Sequence, residues 1–446
     1  MPLRKLINGI EQTDEKYIAL GIFLISTVFF LSRLYEPSLS GDAAKYGLIA
    51  KTMLKSGEYF TPSLVIDEYY KKPPFFFWII AFFFKIFGVN EFSARLPSAI
   101  FAILDTLLLF KISKDISKSN RIALLTSLAF IINFEVIRIS TTVRFESFLL
   151  FVNLTSIVLL QKPSLVKGIA LGFLIGAGLL TKGPFSLLGV TAVLITSLLT
   201  KDFKSFKYAL AALVFGLIIF GTYLLYMWQR YPQFLSEFFG NQILGRFTGI
   251  LNEGTPRPFY FYERIILKHF WIWNVFLLIG FYKILKKETL FNIENKRLWL
   301  SFLTMFLITY IPLHFVSLKF TRYSYYLYPF LAFFVANTAS KGKFFKWSIF
   351  YSLSISTLYC LVALSCPCTF HKDKLKDIRP IVEVGLKNFQ HLGIDKSIDR
   401  LKAYALLFYF DELDVENPKF LLGRCNDRKD VLIKYDKYCI FRKIER

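Results

Sequence analysis

Apolar runs recur along the chain at 18–34, 96–112, 122–137, 147–160, 168–181, 184–199, 208–227, 270–285, 298–315, 324–338 and 347–365, separated by short segments rich in Lys and Arg. Runs of this kind predict membrane-spanning helices, about eleven of them. One further run, 75–87 (FFFWIIAFFFKIF), is short and interrupted by Lys85. Length alone does not classify it, because several of the eleven are short too. The sign of the loops does. If 75–87 lies on the membrane rather than crossing it, all the compact basic clusters fall on the side of the N-terminus: Lys111, Lys114, Lys118 and Arg121; Lys162 and Lys167; Lys201, Lys204 and Lys207; Lys283, Lys286, Lys287, Lys296 and Arg297; Lys341, Lys343 and Lys346. The positive-inside rule makes that side cytoplasmic. If the run crossed, every cluster would be outside. The pattern therefore predicts an interfacial or re-entrant amphipathic segment at 75–87, the N-terminus inside and the C-terminal tail outside. The outward loops are then 35–95, 138–147, the surroundings of 182, 228–269 and 316–323.

Composition agrees with this reading. Of 446 residues, 54% are hydrophobic and 18% aromatic, with 51 Phe, which is the balance of a polytopic membrane protein. The net charge of +23 does not point to nucleic acid, because the cations sit in clusters between apolar runs, as loops facing an anionic leaflet do. Arg4, Lys5 and Lys16 precede a first run that is too long for a signal-peptide core and has no small-residue cleavage site, so it reads as a retained membrane helix. The expected fold is all-α and polytopic over residues 1–365, with interfacial helices in the first extracytoplasmic loop, 35–95, and a small soluble α/β domain at 366–446. In that tail KDIRPIVEVGLKNF reads as a helix, and KAYALLFYF, KFLLGR, DVLIKY and YCIFRKI as short strands.

Five cysteines make no paired zinc signature with histidine. Cys366, Cys368, Cys425 and Cys439 follow the last apolar run and can form disulfides in an oxidising compartment; Cys360 reads as membrane filler. Gly168, Gly172 and Gly176 recur every fourth residue and predict close helix packing. Asp105, in the middle of an apolar run, predicts an interhelical hydrogen bond or a substrate role.

The candidate chemistry collects on the outward loops. Asp42 opens a helical pattern, AAKYGLIAKTMLK, and can either cap that helix or serve as a general base beside Lys45, one turn on. Lys71 and Lys72 precede Pro73-Pro74, which fixes the backbone and aims one cation at the leaflet surface, where a lipid phosphate sits. Glu146, after Arg144, begins the helix at 147, where the helix dipole also favours an acid. Lys182 in LLTKGPFSLL, and Lys319 with Arg322 in SLKFTRYSYYLYP, sit at helix ends where interfacial cations are common. Interfacial placement alone does not explain why Asp42, Lys72, Glu146, Lys182, Arg246 and Lys319 all fall on one face of the membrane.

Several stretches resemble the bacterial GT-C glycosyltransferases, which include the aminoarabinose transferases of lipid A and the protein mannosyltransferase superfamily. They are D-x-x-K-Y-x-x-I-A-x-x-M-L-x-S-G, Y-x-K-K-P-P-x-x-x-W, F-G-x-N-E-F-x-x-R-L-P-S-A, V-R-F-E-S, G-L-L-T-K-G-P, E-F-F-x-N-Q-I-L-G-R-F and K-F-x-R-Y-S-Y-Y-L-Y-P, in family order over roughly 18–340. The resemblance implies a GT-C fold, a sugar donor on a polyprenyl phosphate such as undecaprenyl phosphate, an acceptor hydroxyl and catalysis at the extracytoplasmic face of the inner membrane. It implies that Asp42 takes part in the chemistry, that Lys45 and Lys72 meet the donor phosphate, and that Tyr69, Arg246 and Tyr326 lie near it. Arg95, Arg144, Lys182, Lys319 and Arg322 complete the expected substrate-binding set, and Glu146 stands where relatives usually have Asp. Relatives often carry a second acid directly after the first aspartate; here it is Ala43, which weakens a metal held by adjacent carboxylates, and no metal ligand is assigned. The acceptor is expected to be an envelope glycolipid such as lipid A, or a protein. A transporter or flippase is the reading from another class, but it predicts charge near the midplane, whereas nearly all charge here lies at helix ends.

Overall fold

The computed structural model describes residues 9–36, 38–65, 69–245, 257–270, 273–340, 342–365, 375–416, 418–425 and 431–443. Arg246, Cys366 and Cys368 lie outside the described residues. The protein is mostly helical, with several apolar helices and a small C-terminal sheet. Its contacts group into two units, one of Met1–Arg33, Tyr70–Phe76 and Ser98–Leu364, the other of Leu34–Tyr69, Phe77–Pro97 and Ser365–Arg446.

Among the described residues, four helices are long and apolar enough to cross a membrane: Glu91–Ser117, Leu165–Ser186, Phe203–Arg230 and Lys296–Phe315. The apolar run 122–137 does not form one straight helix. Asn120–Ile131 and Phe134–Ser140 meet at 65°, which makes a fifth span if the pair is taken together. The break has a local cause: Asn133 adopts an extended conformation, and its side-chain oxygen accepts from Glu135 N and Val136 N, starting a new helix. Phe75–Phe87, Glu146–Leu159, Leu188–Leu199, Asn274–Leu285 and Tyr328–Ala339 are apolar but shorter. At 13 residues, Phe75–Phe87 is about 20 Å long, against roughly 30 Å of hydrocarbon.

The glycine row does what its spacing predicts. Helices Leu165–Lys182 and Phe203–Arg230 pack so closely that a Cβ on Gly176 would stand 3.0 Å from Ile219, and one on Gly216 would stand 2.6 Å from Ile175. Asp105 is fully buried and accepts from the Tyr325 hydroxyl at 3.2 Å, the interhelical bond expected of it.

In the second unit, helix Asp42–Ser56 packs on helix Arg400–Tyr409. Gly47 allows the approach, since a Cβ there would meet Phe408 at 3.0 Å. Lys51 Nζ donates to Phe408 O at 2.5 Å and pairs with Asp411 at 2.6 Å. The stretch KAYALLFYF is thus a helix, not the strand its apolar run predicts. Asp399 caps it by accepting from Leu401 N and Lys402 N, and its Ala, Leu and Lys content favours helix. The expected helix at Arg379–Asn388 is present. Four strands, β1 (Leu392–Ile394), β2 (Phe420–Arg424), β3 (Val431–Tyr435) and β4 (Tyr438–Arg442), form a sheet in the order β1-β2-β4-β3. β1 pairs with β2 in parallel and the other pairings are antiparallel. β1 was not foreseen, being only three residues long. Gly423 and Cys439 face each other across the β2–β4 ladder, and Cys425 forms a disulfide with Cys439.

Candidate active site

In the first unit a six-residue 3-10 turn, Thr321–Tyr326 (TRYSYY), gathers the charged residues. Helix Leu165–Lys182 ends at Gly183, whose φ of +67° suits glycine, and Pro184 then opens the short turn Gly183–Ser186. Asn153 holds this reversal in place. Its Nδ2 donates to Phe185 O and its Oδ1 accepts from Gly189 N, both at 2.8 Å. Lys182 is thereby fixed with its Nζ 2.6 Å from Glu146 Oε1. Its ammonium also faces the rings of Tyr323 and Phe185, at 5.2 and 5.4 Å.

Arg322 approaches the same carboxylate, with Nε 3.9 Å from Glu146 Oε1, and its guanidinium lies over Phe320 at 4.3 Å. Arg144 acts on Glu146 electrostatically, and Ser98 holds its backbone by bonding both its N–H and its carbonyl. Tyr326 stacks on Phe185 at 5.3 Å. Among the described residues, Glu146 Oε2 and the Tyr326 hydroxyl are buried without a hydrogen-bond partner. Buried polar atoms of this kind are rare unless something else binds them.

Lys72 and Lys182 line a cavity of about 310 Å³ whose other walls are mainly apolar, among them Phe185, Leu188, Phe238, Leu313 and Tyr323. Two cations on an apolar hollow suit an amphiphile with an anionic head. Lys319 is placed differently. Its Nζ donates to Val316 O at 2.8 Å and Arg257 O at 3.4 Å, so it ties neighbouring backbone segments together. Burial lowers its ammonium below the ordinary value, against the opposing pull of Glu263.

In the second unit, Asp42 stands in the first turn of its helix without capping it, since Gly41 (φ +59°) occupies the cap position. The carboxylate pairs with Lys45 Nζ at 3.0 Å, and that ammonium also faces the rings of Tyr46 and Tyr69 at 5.6 and 5.7 Å. Asp42, Lys45 and Tyr69 therefore form one cluster. Arg95 is 2% exposed and donates to the carbonyls of Leu34, Glu36 and Ser38 at 2.9, 2.6 and 3.1 Å. It clamps the start of the first loop.

Sequence reasoning passed over Glu135, Arg138 and His269, and the trio Glu263, Tyr310 and His314. Glu135 and Arg138 gave a usable signal, two opposite charges three residues apart at the end of an apolar run. Tyr310 and Glu263 Oε1 are 2.5 Å apart, and His314 Nε2 lies 2.6 Å from the same oxygen.

Residues 71–226 match the family described as dolichyl-phosphate-mannose-protein mannosyltransferase. An uncharacterised protein of Aquifex aeolicus is 30% identical over 316 residues, 70% of each chain. An undecaprenyl phosphate-alpha-4-amino-4-deoxy-L-arabinose arabinosyl transferase of Pseudomonas fluorescens is 24% identical over 71% of this chain and 56% of its own length, and one of Proteus mirabilis is 26% identical over 56% and 47%. The match thus spans about half the length of these two transferases. The crystal structure of ArnT from Cupriavidus metallidurans bound to undecaprenyl phosphate superposes with a TM-score of 0.75 at 14% identity, over 96% of this chain and 98% of that one. The archaeal oligosaccharyltransferase AglB from Archaeoglobus fulgidus superposes at 0.56, over 92% and 70%, with 12% identity. The chain has the fold of these membrane glycosyltransferases, matches the mannosyltransferase family over residues 71–226 and is similar to the aminoarabinose transferases.

Proposed function

We propose that this enzyme transfers a sugar from a polyprenyl phosphate to a hydroxyl or phosphate on lipid A or a related envelope glycolipid, at the extracytoplasmic face of the inner membrane. The observation that carries the reading is the apolar cavity lined by Lys72 and Lys182, which fits an isoprenoid phosphate in both polarity and charge. The names of the undecaprenyl phosphate arabinosyl transferases support the same donor class.

The chemistry follows from the charges involved. Attack on the anomeric carbon builds positive charge on the sugar and negative charge on the departing phosphate. Phosphate leaves readily once its charge is met, so Lys72, Lys45, Lys182 and Arg246 are assigned to that task and no general acid is needed. Asp42 is assigned to take the acceptor proton. Glu146 holds Lys182 and Arg322 in place and leaves Oε2 for the substrate. Displacement in one step inverts the anomeric centre. The proposed topology has eleven spans, with the N-terminus cytoplasmic and residues 366–446 outside.

A second reading, with a protein acceptor, draws on the mannosyltransferase description of the family matched by residues 71–226. Mass spectrometry of envelope lipids and secreted proteins, with and without the enzyme, separates the two. A sugar lost from the glycolipid supports the first reading; a loss confined to secreted proteins overturns it. A cysteine introduced at 86–95 should react with an impermeant reagent from outside, and reaction only from inside would reverse the topology.

A further inference from the structure

The break at Asn133 has a result that the donor site does not use. Helix Phe134–Ser140 carries Glu135 and Arg138 three residues apart, on neighbouring positions of one face. The Glu135 side chain is fully buried, and Arg138 grips it with two nitrogens, Nε to Oε2 at 2.9 Å and Nη2 to Oε1 at 2.5 Å. Behind the pair, His269 Nδ1 is 3.7 Å from Glu135 Oε2, and the Tyr328 hydroxyl is 3.4 Å from the same ring nitrogen. In front, Arg138 Nη2 reaches Thr321 Oγ1 at 3.4 Å, on the turn that brings Arg322 to Glu146. Arg138 acts electrostatically on both Glu146 and Arg322.

Two charges in a broken apolar segment are expensive to place, and such groups usually serve a function. A pair that only locked the helix would be enclosed on both sides. Here the acid is sealed in while Arg138 keeps 35% of its side-chain exposure. A planar guanidinium held along one edge by a carboxylate presents its remaining N–H groups in a fixed direction, a geometry suited to an oxyanion.

We propose that Arg138 is a further substrate-recognition residue, aimed by Glu135, and that it binds a phosphate on the acceptor. The acceptor is favoured over the donor because Lys72 and Lys182 already line the apolar cavity, whereas Arg138 is not among the residues that line it. The inference rests on the glycosyltransferase reading above, with an anionic glycolipid as acceptor. Glu135 is a positioning residue in this scheme.

The test uses the full chain in lipid nanodiscs with three probes: undecaprenyl phosphate, bisphosphorylated lipid A, and the same lipid A with its phosphates removed. The wild type should bind phosphorylated lipid A about tenfold more tightly than the dephosphorylated form, the scale of one charge-assisted contact. Arg138→Lys, which keeps the charge and loses the fork, should lose most of that preference, and Glu135→Gln should weaken it. Undecaprenyl phosphate affinity should stay within about twofold throughout. Because Arg138→Gln alone would strand a buried acid, the double variant Glu135→Gln/Arg138→Gln gives the charge-free comparison and should show the full loss. The proposal is overturned if the wild type does not distinguish the two lipid A forms, if the variants keep the preference, or if they lose undecaprenyl phosphate to the same extent. A wild-type chain that binds no undecaprenyl phosphate overturns the donor reading instead, and the lipid A comparison still decides Arg138.

Discussion

Lys182 Nζ stands 2.6 Å from Glu146 Oε1, and the two side chains are only 6% and 1% exposed. A pair this deep gains stability only while both members are present. Glu146→Gln leaves a buried ammonium without its counter-charge and is expected to cost about 3–5 kcal/mol. Glu146→Gln with Lys182→Met should recover most of that loss yet remain without transfer activity. Thermal unfolding in detergent, read beside a transfer assay, checks both halves. A double variant no more stable than the single one would show that the pair is not the source of the effect.

Asp42 makes the opposite case. Its side chain is 29% exposed and that of Lys45 is 17%, so their ion pair should contribute only about 0–1 kcal/mol to stability. Asp42→Asn is expected to unfold within a few degrees of the wild type and to lose sugar transfer. Full turnover by this variant would remove Asp42 from the role of base.

Helix Phe203–Arg230 offers a controlled comparison of two glycines. A Cβ on Gly216 would stand 2.6 Å from Ile175 and 3.0 Å from the backbone nitrogen of Gly176, while one on Gly221 meets nothing within 4 Å. Gly216→Val should therefore destabilise by about 1–3 kcal/mol through overpacking. Gly221→Ala should be neutral or gain up to about 1 kcal/mol of helix propensity. Unfolding midpoints of the two variants under one condition decide the matter.

Acid should loosen the support of the Asp42–Ser56 helix. Burial pushes the Asp411 carboxyl up, but bonds from Lys51 and Lys55 outweigh it and hold the group below its ordinary value of 3.8. A carboxyl lowered on folding adds stability that is complete above the ordinary value and is lost as pH falls through the lowered one. The window thus lies below about pH 4–5. With 49% of the side chain exposed, screening limits the effect to about 1 kcal/mol. Hydrogen exchange of Arg400–Tyr409 should lose protection in that window, and Asp411→Asn should flatten the dependence.

The Cys425–Cys439 disulfide closes a loop with a sequence separation of 14. A loop of that size restricts the unfolded chain by about 3 kcal/mol. Replacing both cysteines by serine should lower the stability of the sheet by an amount of that order. In cells the two thiols should resist alkylation until reduced, because the tail is proposed to face an oxidising compartment. Free thiols at both positions in freshly isolated membranes would contradict that placement.

Legibility in the sequence differed with the range of the interactions involved. Asp42 with Lys45, the glycine row and the Asp105 bond were readable because their signals are local or arise from one expensive residue in an apolar run. Lys182 and Glu146 were recognised singly, but their pairing joins residues 36 apart through a turn held by Asn153, which no periodicity reveals. KAYALLFYF misled because short apolar runs suit both strand and helix; the Asp399 cap was the available clue. The kink at Asn133 was hidden in the same way, since its flanks remain apolar on both sides. Arg95 read as a substrate cation, and its bonds to the carbonyls of Leu34, Glu36 and Ser38 were not legible, because sequence shows charge and not what surrounds it.

The packing of Asp42–Ser56 against Arg400–Tyr409 also sets an order of events in the life of the chain. The helix with the candidate base is synthesised long before the surface that Gly47 and Lys51 await, since Lys51 and Phe408 are 357 residues apart. Chains are completed from the N-terminus, and contacts distant in sequence form late. A nascent or prematurely ended chain therefore displays Asp42 on a helix that has membrane segments following it but lacks its own buttress. Loss of Arg400–Tyr409, by protease or by a stop codon, would therefore act at a distance on a helix made well before it, and the support of Asp42–Ser56 waits on that later segment.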